Sequence, residues 1–235
     1  MLTPTAAEDD HGHAPHPQPG RGVTRRGLLR ASAAAAGGVL SGGVPAFAQT
    51  PPLRYTADDA LGPFYPLTLP ADQDFDLTRV AGQAGVAQGQ LLYVSGRVLT
   101  ADGAPVAGAV IEVWQANTFG RYAHPGDHNA APLDPHFQGY ARLRSGADGS
   151  YRLKTVKPGE YTGRTPHIHF DLRGARSRLI TQMYFEGEAR NATDGLLSRR
   201  SPASRQTLVA RYVAPTGAQE KTALAAHWDI VLAVG

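Results

Sequence analysis

Tyr161-Thr-Gly-Arg164-Thr-Pro-His167-Ile-His169-Phe170-Asp171-Leu172 carries two histidines at i and i+2 inside an apolar run. In a β-strand, residues two apart point to one face. Both imidazoles then project one way, while Ile168, Phe170 and Leu172 project the other, into a core. Tyr161 stands six residues before His167, introduced by Pro158-Gly159, with Arg164 between tyrosine and histidines. Two neutral nitrogens plus an oxygen anion suit a first-row transition ion, and imidazole is acceptable to zinc, copper, iron and nickel. The segment alone leaves the metal open, and it reads equally as the polar face of a sheet.

Working outward, the period of two continues. Leu92, Val94 and Val98 alternate along one strand, Asp102-Gly103 predicts a hairpin turn, and Val110–Gln115 returns as a second strand with Trp114 opposite Ile111 and Val113. Asp148-Gly149 predicts a like turn between Tyr140–Arg144 and Tyr151–Val156. Leu179–Phe185 places Ile180, Gln182 and Tyr184 on one face, and Trp228, Ile230 and Leu232 alternate near the end. About seven short strands with regular turn signals predict an all-β fold, a β-sandwich whose long loops form the metal site. Residues 191–225 read as helix or loop, and 49–90 as irregular. The connection 116–138 holds Tyr122 together with His124, His128 and His136, which read as solvated. Arg199-Arg200 reads as a solvated face, and the acceptor pattern Asn191-Ala-Thr193 is set aside because the chain carries a bacterial export signal.

Composition narrows the function. With 27 glycines, 18 prolines and 18% charged residues, the chain reads as a loop-rich globular domain. It has no cysteine, which excludes thiolate sites, disulfides and cysteine catalysis. Of 23 basic and 20 acidic residues, four and three lie in 1–48, leaving 19 and 17 beyond it. With no basic patch interleaved with aromatics, no nucleic-acid partner is expected. Thr24-Arg25-Arg26-Gly27-Leu28-Leu29-Arg30 followed by Ala31–Val44 reads as a twin-arginine export signal for residues 1–48, with cleavage after Ala46-Phe47-Ala48. The apolar run is too short for a stable membrane span. An exported, periplasmic or secreted domain over 49–235 is expected, delivered by the twin-arginine machinery.

Trp114-Gln-Ala-Asn117, Gly120-Arg-Tyr122, Leu133-Asp-Pro135, Lys157-Pro-Gly-Glu-Tyr161 and His167-Ile-His169-Phe170 fall in one order. With them, the chain from about Leu61 onward resembles the intradiol ring-cleavage dioxygenases, and most of all the protocatechuate 3,4-dioxygenase type. The resemblance implies one Fe(III) per chain, held by Tyr122, Tyr161, His167 and His169. It assigns Arg164 and Tyr161 to catalysis, and Gln182, Trp114, Tyr65 and Gly163 to the substrate pocket. Two hard phenolate oxygens fit a ferric ion, which holds a phenol as phenolate. The implied reaction opens a catechol between its hydroxylated carbons to a cis,cis-muconate, with both atoms of O2 incorporated. Tyr161 acts as ligand and base, and Arg164 stabilises developing negative charge. No dinucleotide fingerprint is present, and no nicotinamide, flavin or external reductant is called for.

Two departures stand out. Gly163 takes the place of the tryptophan that the protocatechuate enzymes carry there, which suggests a bulkier, substituted catechol. With only some dozen residues between Gln49 and Leu61, no counterpart of the N-terminal helical domain of the catechol-specific branch is expected, and a homo-oligomer is expected. Against this, Gly96–Val113 also resembles transthyretin-like binding modules, which have no need of Tyr122, Tyr161, Arg164, His167 and His169 together.

Overall fold

The computed structural model of the protein describes residues 51–233; the export segment expected over 1–48 lies outside the described residues. Among them nine strands form: β1 Leu91–Thr100, β2 Val110–Trp114, β3 Tyr140–Arg144, β4 Ser150–Val156, β5 His167–Arg173, β6 Arg178–Phe185, β7 Val209–Val213, β8 Leu224–His227 and β9 Ile230–Leu232. One sheet runs β3-β2-β5-β6 and the other β8-β1-β4, with β9 also on β1. β7 pairs with β6 in parallel and with β8 in antiparallel fashion, so it joins the two sheets along one edge.

The period of two explains the core. Leu92, Val94, Val98, Tyr151 and Leu153 of one sheet share a buried cluster with Ile111, Val113, Ile168, Phe170, Leu172, Met183 and Phe185 of the other. Tyr151 meets Phe170 edge-on at 6.3 Å and Trp228 meets Phe170 at 5.1 Å, contacts made across the sandwich. The all-β expectation holds.

The two expected hairpins do not form as pairs of neighbours. After Asp102-Gly103 the chain folds back on β1 only as far as Pro105 and Val106, then crosses to the other sheet, where β2 pairs with β3 and β5. The Asp148-Gly149 turn likewise carries the chain from β3 to β4, whose partner is β1. An Asp-Gly signal sets a local reversal and leaves open which sheet the next strand joins. The segment read as helix or loop holds two short 3-10 helices and α1 Pro202–Leu208, and also β7 and the start of β8. Ser201 caps α1 by accepting the Ser204 N–H at 3.1 Å, and proline occupies its first turn.

Candidate metal centre

β5 lies between β2 and β6, and its register lays out the centre. Trp114, His169 and Gln182 stand directly opposite one another across three strands, and His167 stands opposite Tyr184. Their shared face is the one turned away from Ile168 and Phe170, as alternation requires. Unlike a half-exposed strand, β5 is buried on both faces, because loops cover the histidine side.

Two of those loops supply the tyrosines. Asn117 accepts the N–H groups of Phe119 and Arg121 on its side-chain oxygen, an Asx-type turn that aims Tyr122 inward, and its carbonyl accepts the Gly159 N–H at 2.9 Å. Loops 117–122 and 158–161 then run backbone against backbone. A Cβ on Gly120 would stand 2.0 Å from the Glu160 carbonyl oxygen, and one on Gly159 would stand 2.4 Å from that of Thr118. Only glycine allows this approach. Tyr161, Thr162, Gly163 and Arg164 make a tight turn closed by the Arg164 N–H on the Tyr161 carbonyl at 2.7 Å. Thr162 (φ 45°) and Gly163 (φ 74°) give it the doubly positive pattern of a type I′ turn. Gly163 is exposed at its tip.

The four expected ligands come together. Ring centroids lie 5.2 Å apart for Tyr122 and Tyr161, 4.9 Å for His167 and His169, 5.4 Å for Tyr161 and His167, and 6.2 Å for Tyr122 and His169. The His167 Nδ1 lies 2.7 Å from the Thr165 carbonyl oxygen. A carbonyl only accepts, so Nδ1 carries the proton and Nε2 presents a lone pair, 3.3 Å from the Tyr161 hydroxyl. Among the described residues the buried Tyr122 hydroxyl and His169 Nδ1 make no well-formed hydrogen bond, with Tyr161 and the Ala60 backbone as their polar neighbours. Gly62, at φ 76°, admits the His169 ring, since a Cβ there would meet its Cε1 at 2.9 Å.

Electrostatics keep the cluster uncharged. Burial, then the Arg164 guanidinium, push His167 down to about 3. Burial, then His167 and Arg164, hold His169 well below its ordinary range. Burial raises both tyrosines, and for Tyr122 the neighbouring Tyr161 adds to it. Two neutral imidazoles and two phenols held without full hydrogen bonding fit a cation that draws off both phenolic protons. Among the described residues no group of three or more histidine, aspartate or glutamate side chains converges, and the oxygen next to His167 Nε2 is the Tyr161 hydroxyl at 3.3 Å. Asp171 shares the histidine face but is bound to Arg173 and Arg178 at 2.8 and 2.7 Å, and serves as no ligand here.

Arg164 stands beside the cluster. Its Nη2 donates to Gln182 Oε1 at 2.8 Å and to the Tyr184 hydroxyl at 3.1 Å, and its Nε donates to Asp194 Oδ2 at 2.8 Å. Gln182, expected to touch substrate, is fully buried and also donates to the Ala60 carbonyl, so its amide acts on Arg164. Trp114 is likewise buried and lies flat on His169, a support for that ring. Tyr65, expected in the pocket, meets Trp114 edge-on and its hydroxyl donates to Glu112 at 2.9 Å.

The sequence reading passed over Asp59, Tyr184 as a site residue, and Asp194. Tyr184 donates to Asp59 Oδ2 at 2.9 Å, and Asp59 Oδ1 accepts Arg200 Nη2 at 3.1 Å. Arg200 is thus an ion-pair partner of a buried carboxylate and not a solvated residue. His124 and His136 are half-buried, and His124 packs on Phe64 at 5.6 Å; only His128 is exposed as expected. Asn191 uses both ends of its amide, on Thr165 and the Phe185 carbonyl, so it is structural.

The family described as Dioxygenase matches residues 61–234. The chain is 41% identical over 190 residues to the protocatechuate 3,4-dioxygenase beta chain of Burkholderia cepacia, covering 77% of this chain and 80% of that one. A shorter match, 35% over 115 residues, relates it to a chlorocatechol 1,2-dioxygenase of Pseudomonas sp. (strain P51), with 41% of this chain and 44% of that one covered. Among solved structures, the dioxygenase domain of a dioxygenase–carbohydrate-binding protein fusion from Streptomyces sp. SirexAA-E superposes with a TM-score of 0.58 at 32% identity. That match covers 77% of this chain and all of that one.

Proposed function

The chain belongs to the intradiol ring-cleavage dioxygenases, enzymes that open a catechol ring, and we propose that it does so with one ferric ion per chain held by Tyr122, Tyr161, His167 and His169. The observation that carries this reading is the convergence of two buried phenols and two neutral imidazoles, with the buried Tyr122 hydroxyl making no well-formed hydrogen bond among the described residues. When bound, the ion supplies Lewis acidity, holding catechol as its dianion and drawing electron density from the ring.

The protein's own groups do the rest. Tyr161, as phenolate, accepts a proton from one catechol hydroxyl as substrate enters, and the second proton is taken up by displaced hydroxide. His167 holds Nε2 toward the centre because Thr165 fixes its other nitrogen. Arg164 sets a positive charge beside the ring carbons that become electron-rich, and Gln182 and Tyr184 hold that charge in place. Trp114 and the loops exclude water around His169. Both atoms of O2 enter the product, a cis,cis-muconate, so no outside reductant is needed.

The open, exposed turn tip at Gly163 supports a substituted or bulkier catechol. The twin-arginine motif of residues 24–30 supports export and cleavage after Ala48.

The test is a visible absorption spectrum of the iron-loaded protein, taken anaerobically before and after adding catechol or protocatechuate. Tyrosinate bound to ferric iron gives a broad charge-transfer band, which should shift with the catechol and decay when O2 is admitted. A colourless protein that takes up no iron on reconstitution would overturn the reading.

A further inference from the structure

Arg164 has five N–H donors in a rigid fork, and a guanidinium that stabilises charge must be aimed before the charge appears. Three of its donors are fixed by the protein: Nε on Asp194 and Nη2 on Gln182 and Tyr184. Nη1 has no protein partner among the described residues.

Asp194 is itself held on every side. Its Oδ2 accepts Arg164 Nε at 2.8 Å and the Thr165 N–H at 2.9 Å, while its Oδ1 accepts the Leu196 and Leu197 N–H groups at 2.9 Å each. The carboxylate is fully buried and cannot rotate without breaking two of these four bonds. Asn191, three residues earlier, accepts the Thr165 hydroxyl, so segment 191–197 grips the chain between Arg164 and His167 at two points.

We infer that Asp194 is the positioning residue for Arg164, fixing the edge of the guanidinium so that Nη1 is the one presented. The inference rests on the proposed role of Arg164. A residue that merely ties two loops together would offer acceptors to backbone alone; here the oxygen that takes the Thr165 N–H also takes Nε of its neighbour in sequence. Asp194→Asn keeps the shape but turns one oxygen into an amide nitrogen. That nitrogen then faces either Arg164 and Thr165 or Leu196 and Leu197, donor against donor in both cases.

The experiment compares the iron-loaded parent, Asp194→Asn, Arg164→Met and the double variant by single-turnover and steady-state kinetics. Asp194→Asn should keep the ferric charge-transfer band, hold KM within about threefold and lower kcat by at least about tenfold, the scale of a misplaced catalytic group. In the Arg164→Met background it should cause no further loss, because the group it aims is gone. Full activity in Asp194→Asn, or an equal loss in both backgrounds, would overturn the inference while Arg164→Met alone still reports on Arg164. Full activity in Arg164→Met would overturn the role of Arg164 itself and the inference with it. Should Asp194→Asn not fold, the Arg164 Nε–H of the iron-free parent is followed by NMR, identified by its absence in Arg164→Met. Slow exchange with solvent supports the clamp, and exchange as fast as in free arginine overturns it.

Discussion

The indole of Trp114 lies parallel to the imidazole of His169, 10° from coplanar and 5.0 Å between centroids, because the two residues are direct partners in the β2–β5 ladder. The imidazole proposed as a metal ligand is thus steadied by its cross-strand neighbour. Trp114→Ala should lower the unfolding free energy by about 3–5 kcal/mol and reduce the iron bound per chain. Denaturant unfolding and iron analysis check this; unchanged iron retention would show that the stack does not hold His169.

Tyr122→Phe should act with opposite sign in the two forms of the protein. In the iron-free form it removes a buried hydroxyl that makes no well-formed hydrogen bond among the described residues, which should stabilise the fold by roughly 1–3 kcal/mol. In the iron-loaded form it removes a proposed ligand, so iron affinity and the tyrosinate band should fall. Thermal unfolding of both forms reads the sign directly.

The iron-free protein should weaken as it is acidified. His167 is pushed down to about 3 in the fold and His169 is held well below its ordinary range, chiefly because both are buried. An unfolded histidine takes its proton near pH 6.5. Between these values the unfolded chain binds two more protons than the folded one, so stability is full above pH 6.5 and falls as pH drops toward 3. Well inside that window the slope approaches ~2.7 kcal/mol per pH unit. Unfolding curves at pH 7, 6 and 5 test it, and His167→Ala should remove about half the slope.

Gly163→Trp should narrow the range of catechols accepted. The variant also forces a side chain onto a backbone at φ 74°, a strain of order 1–3 kcal/mol. Turnover of catechol against ring-substituted catechols separates the two effects, since strain lowers stability without choosing among substrates. An unchanged substrate profile would remove Gly163 from the pocket.

Much of the site could be read from the chain because its residues cluster in short, patterned segments. Alternation in 167–172 marked the histidine pair beside Tyr161, and the resemblance to the intradiol dioxygenases added Tyr122 and Arg164 as candidates, which the fold brings together. What escaped was set by distant partners. Asp194 reaches Arg164 across 30 positions and Arg200 reaches Asp59 across 141, and neither carboxylate sits in a pattern of its own. The two Asp-Gly turns announced reversals correctly, yet the partner of each following strand depended on which sheet needed Ile111 or Leu153 for its inner face. β7 was hidden because Val209–Val213 is a short edge-joining strand with only Ala210 fully buried.

The contact of Gly120 with the Glu160 carbonyl, and of Gly159 with that of Thr118, makes the two phenol-bearing loops a single heritable unit. A change that enlarges either glycine displaces the backbones that carry Tyr122 and Tyr161 together, so the two loops cannot drift apart even though each side chain can be exchanged alone. The histidines depend on neither contact, because their strand is placed by its own ladders with β2 and β6.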